Sequence, residues 1–382
     1  MSDNLAEQLF GSVSTPVFFE KFWEKTLLHV KRENPNPYSA LVSTTDIERL
    51  LTEKDLFFPD IQLTQLDRPI PQSDYALANN QINPLRLLEQ HRQGATLVIS
   101  RAHRLLGALS TLCRQIQVQM QMRCQANVYL SPPGNQGFNA HYDTHDVVIV
   151  QVQGNKTFNF YAGGPELPFT DERFNPALLP AITLEKSVQL SAGDTLYIPR
   201  GVIHDARADD QSTDSSLHIT LGLYPIVVRD LLQEMIQVVA ENDAHYRQSL
   251  SGLTDFSQLG QRFSALFNDE VAGEAYSRLQ DEMAIQGEQD CTGLLSVESH
   301  GQNHAGLIQV KPAMIVNVER RDQKIVLRTF GQVMEFGEPM STAVEWILEQ
   351  QRFTIAEIPT LDQTQSSALL QRLMSENIVG PV

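Results

Sequence analysis

His141-Tyr142-Asp143 sets an imidazole and a carboxylate two residues apart. On a strand, residues i and i+2 project to the same face, so both groups can aim at one point. A third donor comes from the segment Gly193-Asp194-Thr195-Leu196-Tyr197-Ile198-Pro199-Arg200-Gly201-Val202-Ile203-His204. It reads as a GD turn, a short strand and then Pro-x-Gly-x-x-His, a turn that would set His204 opposite the HxD strand. Two imidazoles and one carboxylate on one face of an ion leave the opposite positions open, the ligand arrangement of non-haem Fe(II) oxygenases. Alone, an HxD pair is common, its Asp is often a strand-end cap, and a turn histidine usually bonds backbone. The two motifs together, about sixty residues apart, favour a metal site formed by His141, Asp143 and His204. His145 shares the HxD face and is expected to shape the mouth of the site or to pack as a strand histidine. His218 competes as third ligand, but the Pro-x-Gly turn favours His204 and leaves His218 beside the metal.

These side chains need a β framework. From Ile116 to Leu130, apolar and polar residues alternate strictly, which predicts one long strand. Pro132-Pro133-Gly134 ends it. Asp146–Gln153 and Lys156–Tyr161 read as strands flanking Gly154-Asn155, a two-residue hairpin turn. Ser187–Leu190, Thr195–Ile198 and Leu217–Tyr224 supply further strands. Short strands joined by Gly/Pro turns suggest a closed or sandwiched β body ending near Pro225.

Ahead of that body the chain reads as short helices and loops. Phe18–Thr26 is helical, Leu27–Arg32 strand-like, and Thr45–Lys54 a helix started by Thr45 or Asp46. Pro84–Gln93 is a helix with Asn83 as N-cap and Pro84 in its first turn, and Ala102–Leu112 has helical periodicity. Beyond the body, Val227–Leu250 carries apolar residues at three- and four-residue spacing, and helical patterning continues to about Gln286. After the polar stretch Ser296–Ala305, the tail mixes strands (Met314–Val318, Lys324–Thr329) with helices (Thr342–Gln351, Gln365–Ser375).

The bulk numbers exclude several classes. A chain of 382 residues predicts two or three domains, and 42% hydrophobic with 20% charged residues is globular composition. The acidic N-terminus, broken by Gly11 and Pro16, does not read as a signal peptide, and no apolar run is long enough for a membrane span. A cytoplasmic location is therefore expected. Three scattered cysteines suit neither a disulfide framework nor a thiolate zinc site. The net charge of -17 argues against broad phosphate binding and favours a basic partner such as a cationic peptide.

On these motifs the chain resembles the cupin-type JmjC ribosomal oxygenases, which hydroxylate side chains of ribosomal proteins. The likeness covers the whole chain, including Pro16–Arg32, the β body with its GD…PxGxxH pattern, the helical middle and the tail. Members of that family hold 2-oxoglutarate with an Asn and a Tyr two residues apart on one strand. They add a Lys fifteen residues after the first iron-binding His and a Thr two residues after a later His. Asn127, Tyr129, Lys156 and the pair His218 and Thr220 match those positions here. Lys156, which alone would read as a solvated turn lysine, would pair the distal carboxylate of the co-substrate, with Tyr129 and Thr220 donating to it.

The resemblance implies Fe(II), 2-oxoglutarate and O2 as cofactors, and a homodimer acting on an Arg or His side chain of a ribosomal protein. It implies an α+β protein with a double-stranded β-helix (cupin/JmjC) core and N-terminal helices over residues 1–225. A helical dimerisation region (226–300) and a winged-helix-like domain (306–382) follow. Histidine-hydroxylating relatives carry a Ser two positions after the matching Thr. Gly222 stands there, as in the arginine-hydroxylating bacterial branch, whereas His218 and Thr220 match the histidine branch, so the target side chain stays open. The tail from Gly306 has seven Lys/Arg and nine Asp/Glu, a net of -2, so direct DNA binding is not expected. Alternatives are hydroxylation of another peptide or precursor peptide, and a non-catalytic metal-binding cupin. The full co-substrate set argues against the latter.

Overall fold

The computed structural model describes residues 4–32, 36–177, 182–251, 260–262, 264, 268–291, 294, 306–321 and 323–382. Two compact units divide the chain: Met1–Ile116 with Cys124–Tyr224, and Gln117–Arg123 with Pro225–Val382.

The first unit opens with helices α1 (Asn4–Phe10) and α2 (Thr15–Lys21), strand β1 (Leu28–Val30) and helix α3 (Thr44–Glu53). Helix α3 starts slightly earlier than its sequence suggests, because Ser43 caps it: the Ser43 hydroxyl accepts from Asp46 N, and the Asp46 carboxylate accepts from Ser43 N. After β2 (Ile61–Thr64) comes α4 (Pro84–Arg92), where Asn83 Oδ1 accepts from Arg86 N at 3.1 Å, as expected of its cap. Then follow β3 (Thr96–Ile99), α5 (Gly107–Met120) and β4 (Arg123–Ser131).

The predicted long strand Ile116–Leu130 is thus half wrong: its first five residues are the last turn of α5. Leu109, Leu112, Cys113, Ile116 and Met120 are all buried and recur at helical spacing. A pair four apart, such as Ile116 and Met120, shares a face in either conformation, so the alternation could not separate the two. Gln121, at φ 53°, breaks the helix before β4 begins.

Strands β5 (Asp146–Gln153), β6 (Lys156–Ala162), β7 (Thr183–Leu190), β8 (Thr195–Ile198), β9 (Ile203–Ala208) and β10 (Ser216–Tyr224) complete the unit. Seven strands form one sheet in the order β1-β8-β5-β10-β4-β3-β2, and β7-β6-β9 form a second. Gly154-Asn155 is therefore no hairpin turn: β5 pairs β8 and β10, β6 pairs β7 and β9, and the turn carries the chain between sheets. The reason is burial. Strand β5 is buried on both faces over seven of its eight residues, so it needs a strand on each edge and a layer on each side. Val147 and Ile149 pack across onto Phe158, Phe160, Val188 and Leu190 of the facing sheet. Two facing sheets closed in this way are the β-helix of the cupin and JmjC fold.

In the second unit, α6 (Val228–Asn242) and α7 (Asp269–Ile285, capped by Asn268) pack through Met235, Val238 and Ala275. Strand β11 (Ile308–Val310) precedes β12 (Ile315–Arg321), β13 (Lys324–Thr329) and β14 (Gln332–Phe336), which form a meander. Helix α8 (Met340–Glu349), strand β15 (Arg352–Phe353), helix α9 (Gln363–Ser375) and strand β16 (Val379–Pro381) close the chain, with β15-β11-β16 as a small sheet. Arg328 is fully buried there, its charge met by Asp281 at 2.6 Å and Glu319 at 2.8 Å. The polar stretch Ser296–Ala305 and part of the helical patterning ahead of it lie outside the described residues.

Candidate metal and co-substrate site

His141, Asp143 and His204 meet inside the β-helix, each offering one donor atom, all within 4.8 Å of one another. His141 and His204 face each other across a β-bridge, with N–H to carbonyl distances of 3.0 and 2.8 Å. Each ring turns Nδ1 to a nearby carbonyl, Asn139 O at 2.8 Å and Val202 O at 3.0 Å. That bond fixes the Nδ1–H tautomer and leaves both Nε2 lone pairs for an ion. Tyr142, between the two ligands in sequence, points away into a cluster with Ala140 and Ile203, and its hydroxyl donates to Glu172 O at 3.0 Å. Anchoring the odd residue out holds the other two in.

The Pro-x-Gly turn is built around Gly201. Its φ is 89°, and a Cβ there would lie 2.1 Å from Pro165 O, so only glycine fits. Gly201 N in turn donates to Asp143 O at 3.0 Å, tying the two ligand segments together. Behind the turn, Arg200 joins Asp146 at 2.9 Å and also meets Glu24, while Tyr197 donates to Asp146 at 2.6 Å. This buried network clamps β8 to the start of β5, next to the metal ligands.

The remaining candidates line the same interior. Asn127 and Tyr129 lie on the partly exposed face of β4, and Asn127 Oδ1 accepts from Arg101 N at 2.9 Å. The Tyr129 ring stacks on His218, centroids 4.8 Å apart and 6° from parallel. Burial, aided by the Asp143 charge, raises the Tyr129 pKa, so its hydroxyl stays a proton donor. His218 and Thr220 follow one another on the inward face of β10, beyond a bulge at Leu217/His218. Burial and the neighbouring Lys156 push the His218 pKa well down, and its Nδ1 is buried without a hydrogen bond among the described residues. Lys156 is 4% exposed, donates to Ser131 Oγ at 3.0 Å, and is held down to about 7 by burial.

Burial also lowers the His204 pKa, keeping the ring neutral as a ligand must be. The donor set and the locked tautomers fit a divalent ion, and the buried ammonium fits a dicarboxylate reaching inward from it. Sequence reasoning missed Ser131, whose inward position follows only from the β4 register, and Phe138. The Phe138 ring is 44% exposed and lies 6.1 Å from His141 and 6.2 Å from Tyr129.

A β-helix carrying a His-Asp-His cluster is the JmjC arrangement, and residues 105–231 match the JmjC domain family. The chain is similar in sequence to a ribosomal oxygenase 1 of Gallus gallus, 32% identical over 263 residues (64% of this chain, 42% of that protein). It is likewise similar to a bifunctional lysine-specific demethylase and histidyl-hydroxylase NO66 of Drosophila mojavensis, 29% identical over 259 residues (63% of this chain, 27% of that protein). The chain therefore spans less than half the length of these curated relatives. In fold it matches the structure of YcfD, a ribosomal oxygenase from Escherichia coli in complex with cobalt and 2-oxoglutarate. That match has a TM-score of 0.56 and 15% identity, and covers 97% of this chain and 98% of the other.

Proposed function

We propose that the chain is an Fe(II)- and 2-oxoglutarate-dependent oxygenase that hydroxylates an Arg or His side chain of a ribosomal protein. The observation that carries this reading is Lys156, a buried amine facing the interior that among the described residues is held only by a hydroxyl. A buried cation without a counter-charge is costly unless a ligand supplies the anion. His141, Asp143 and His204 would hold the metal, and Asn127, Tyr129, Lys156, Thr220 and His218 the co-substrate. When bound, iron, 2-oxoglutarate and O2 supply the oxidising power for inserting oxygen into an unactivated C–H bond. The chain's own residues orient the co-substrate, keep Tyr129 protonated as a donor, and shield the interior with Phe158 and Phe160.

The name ribosomal oxygenase supports a ribosomal protein as substrate, and the name histidyl-hydroxylase supports a histidine side chain as target; a cytoplasmic location is part of the proposal. A charge of -17 suits a basic target. Residues 226–300 are proposed as the dimerisation region, because Val228, Ile236 and Tyr276 leave apolar surface exposed on α6 and α7. Residues 306–382 are proposed as a winged-helix-like docking module. Among the described residues, no helix is long and apolar enough to cross a membrane.

The test is an intact-mass comparison of ribosomal proteins from cells lacking this gene, before and after incubation with the protein, Fe(II), 2-oxoglutarate and O2. A gain of one oxygen on one protein, lost in His141→Ala, identifies activity and substrate together. No gain, with 2-oxoglutarate still bound at the metal, moves the substrate away from the ribosome.

A further inference from the structure

The inward face of β10 reads His218, Thr220, Gly222, Tyr224 by period two. It runs from a buried end, where His218 stacks on Tyr129 beside Lys156, to an outer end, where Tyr224 stacks on His145. From 218 to 222 is about 13 Å at strand rise, so the outer pair lies well away from Lys156. That outer pair sits beside Asp143, whose side chain keeps 29% of its surface exposed. The His145 and Tyr224 ring centroids are 4.7 Å apart and 17° from parallel.

Gly222 makes this stack possible. A Cβ at residue 222 would lie 2.8 Å from His145 Cδ2 and 2.9 Å from Nε2, so the imidazole occupies the space a side chain there would need. The His145 ring is half-buried, and its nitrogens make no hydrogen bond with any described residue. A half-buried ring nitrogen beside the metal cluster, with no partner among the described residues, is open to a ligand entering from solvent.

Resting on the oxygenase reading, we infer that His145 is a specificity-determining residue. Its ring, stacked on Tyr224 over Gly222, forms one wall of the subsite for the target side chain and hydrogen-bonds a planar, N–H-bearing group. Guanidinium and imidazole share that chemistry: each presents a flat face to the aromatic wall and an N–H to the ring nitrogen.

The test uses the full chain loaded with Mn(II) and 2-oxoglutarate, and reads paramagnetic relaxation of the protons of two probes, N-acetyl-arginine methylamide and N-acetyl-histidine methylamide. The side-chain protons of at least one probe are expected to relax faster than its acetyl methyl, and the responding probe identifies the source of the planar group. His145→Ala and Gly222→Ala are each expected to lower the enhancement about fivefold, the worth of one hydrogen bond, and His145→Asn to restore part of it. In Gly222→Ala the new Cβ meets the far end of a side chain, so the ring swings away and the fold is kept. Equal enhancement in His145→Ala and the unsubstituted protein, or none in the latter with 2-oxoglutarate bound, overturns the assignment. Water-proton relaxation on adding 2-oxoglutarate reports separately on metal and co-substrate; no change there sinks the oxygenase reading itself.

Discussion

Lys156 Nζ donates to Ser131 Oγ across 3.0 Å, and Ser131 takes a second hydrogen bond, also 3.0 Å, from Thr96 Oγ1. Among the described residues no carboxylate forms an ion pair with this ammonium. Lys156→Met is therefore expected to weaken 2-oxoglutarate binding to the Mn(II)-loaded protein about a hundredfold, the usual scale for removing one partner of a buried charged pair. The ligand-free variant should unfold at the same urea concentration or higher, since the cost of burying this amine, as an unpaired charge or by giving up its proton, has been removed. Calorimetric titration and urea unfolding give the two numbers.

The same lysine predicts a pH dependence. Its folded pKa of about 7 lies below the unfolded value of about 10.4. Between those pH values the unfolded chain holds a proton that the folded one lacks, so the stability of the ligand-free protein rises with pH across that window. A bound dicarboxylate restores the proton, so binding at pH 8.5 takes one up and weakens as pH climbs. Calorimetry in two buffers of different ionisation enthalpy measures the uptake, which Lys156→Met should abolish.

Removing one metal ligand separates binding from folding. Among the described residues the His141 ring hydrogen-bonds only the neighbouring Asn139 carbonyl, and its hydrogen-bonded link to His204 runs through backbone. His141→Ala is expected to lose Co(II) binding by at least about a hundredfold, judged against the second-shell losses that metal sites show, while its metal-free melting temperature stays unchanged. Dialysis against Co(II) and a thermal melt check both.

Arg200 and Asp146 predict the opposite: lost stability rather than lost affinity. Asp146 is fully buried, and burial raises its pKa although Tyr197 and Arg200 oppose the shift. Arg200→Met would strand that carboxylate and is expected to destabilise the protein by about 3–5 kcal/mol. Arg200→Met with Asp146→Leu should recover part of the loss, because the stranded charge is gone. Urea unfolding of the three proteins orders them.

The chemistry was more legible in the sequence than the sheets that carry it. HxD and Pro-x-Gly-x-x-His are local patterns, so His141, Asp143 and His204 can be matched before any fold is known. Yet the HxD segment is not the expected strand, since only His141 pairs, in a bridge to His204, and residues 142–145 lie in the loop ahead of β5. Lys156 could be named but not buried: only the crossing at Gly154-Asn155, from β5 to a strand of the other sheet, takes it inside. A two-residue Gly-Asn link looks the same whether it folds back or crosses, because the difference lies in which strands pair, and those are distant in sequence. Strand β9 is not legible in the sequence, since Ile203-His204-Asp205-Ala206-Arg207-Ala208 alternates imperfectly and owes its conformation to pairing with β6. The end of α5 is ambiguous in sequence, because an i, i+4 apolar pair fits both periods. His145 is expected to shape the mouth of the site or to pack as a strand histidine; it lies outside any strand, and its stack on Tyr224 depends on the missing side chain at Gly222, which is distant in sequence.

The most direct test of the central claim is the visible absorption of the Fe(II)-loaded protein under anaerobic conditions as 2-oxoglutarate is added. A 2-oxo acid that chelates iron gives a metal-to-ligand charge-transfer band, which O2 should bleach as succinate forms. The band is predicted for the unsubstituted protein, absent in His141→Ala, and shifted to much higher 2-oxoglutarate concentration in Lys156→Met. No band in the unsubstituted protein, or one that forms equally well without His141, would contradict the account.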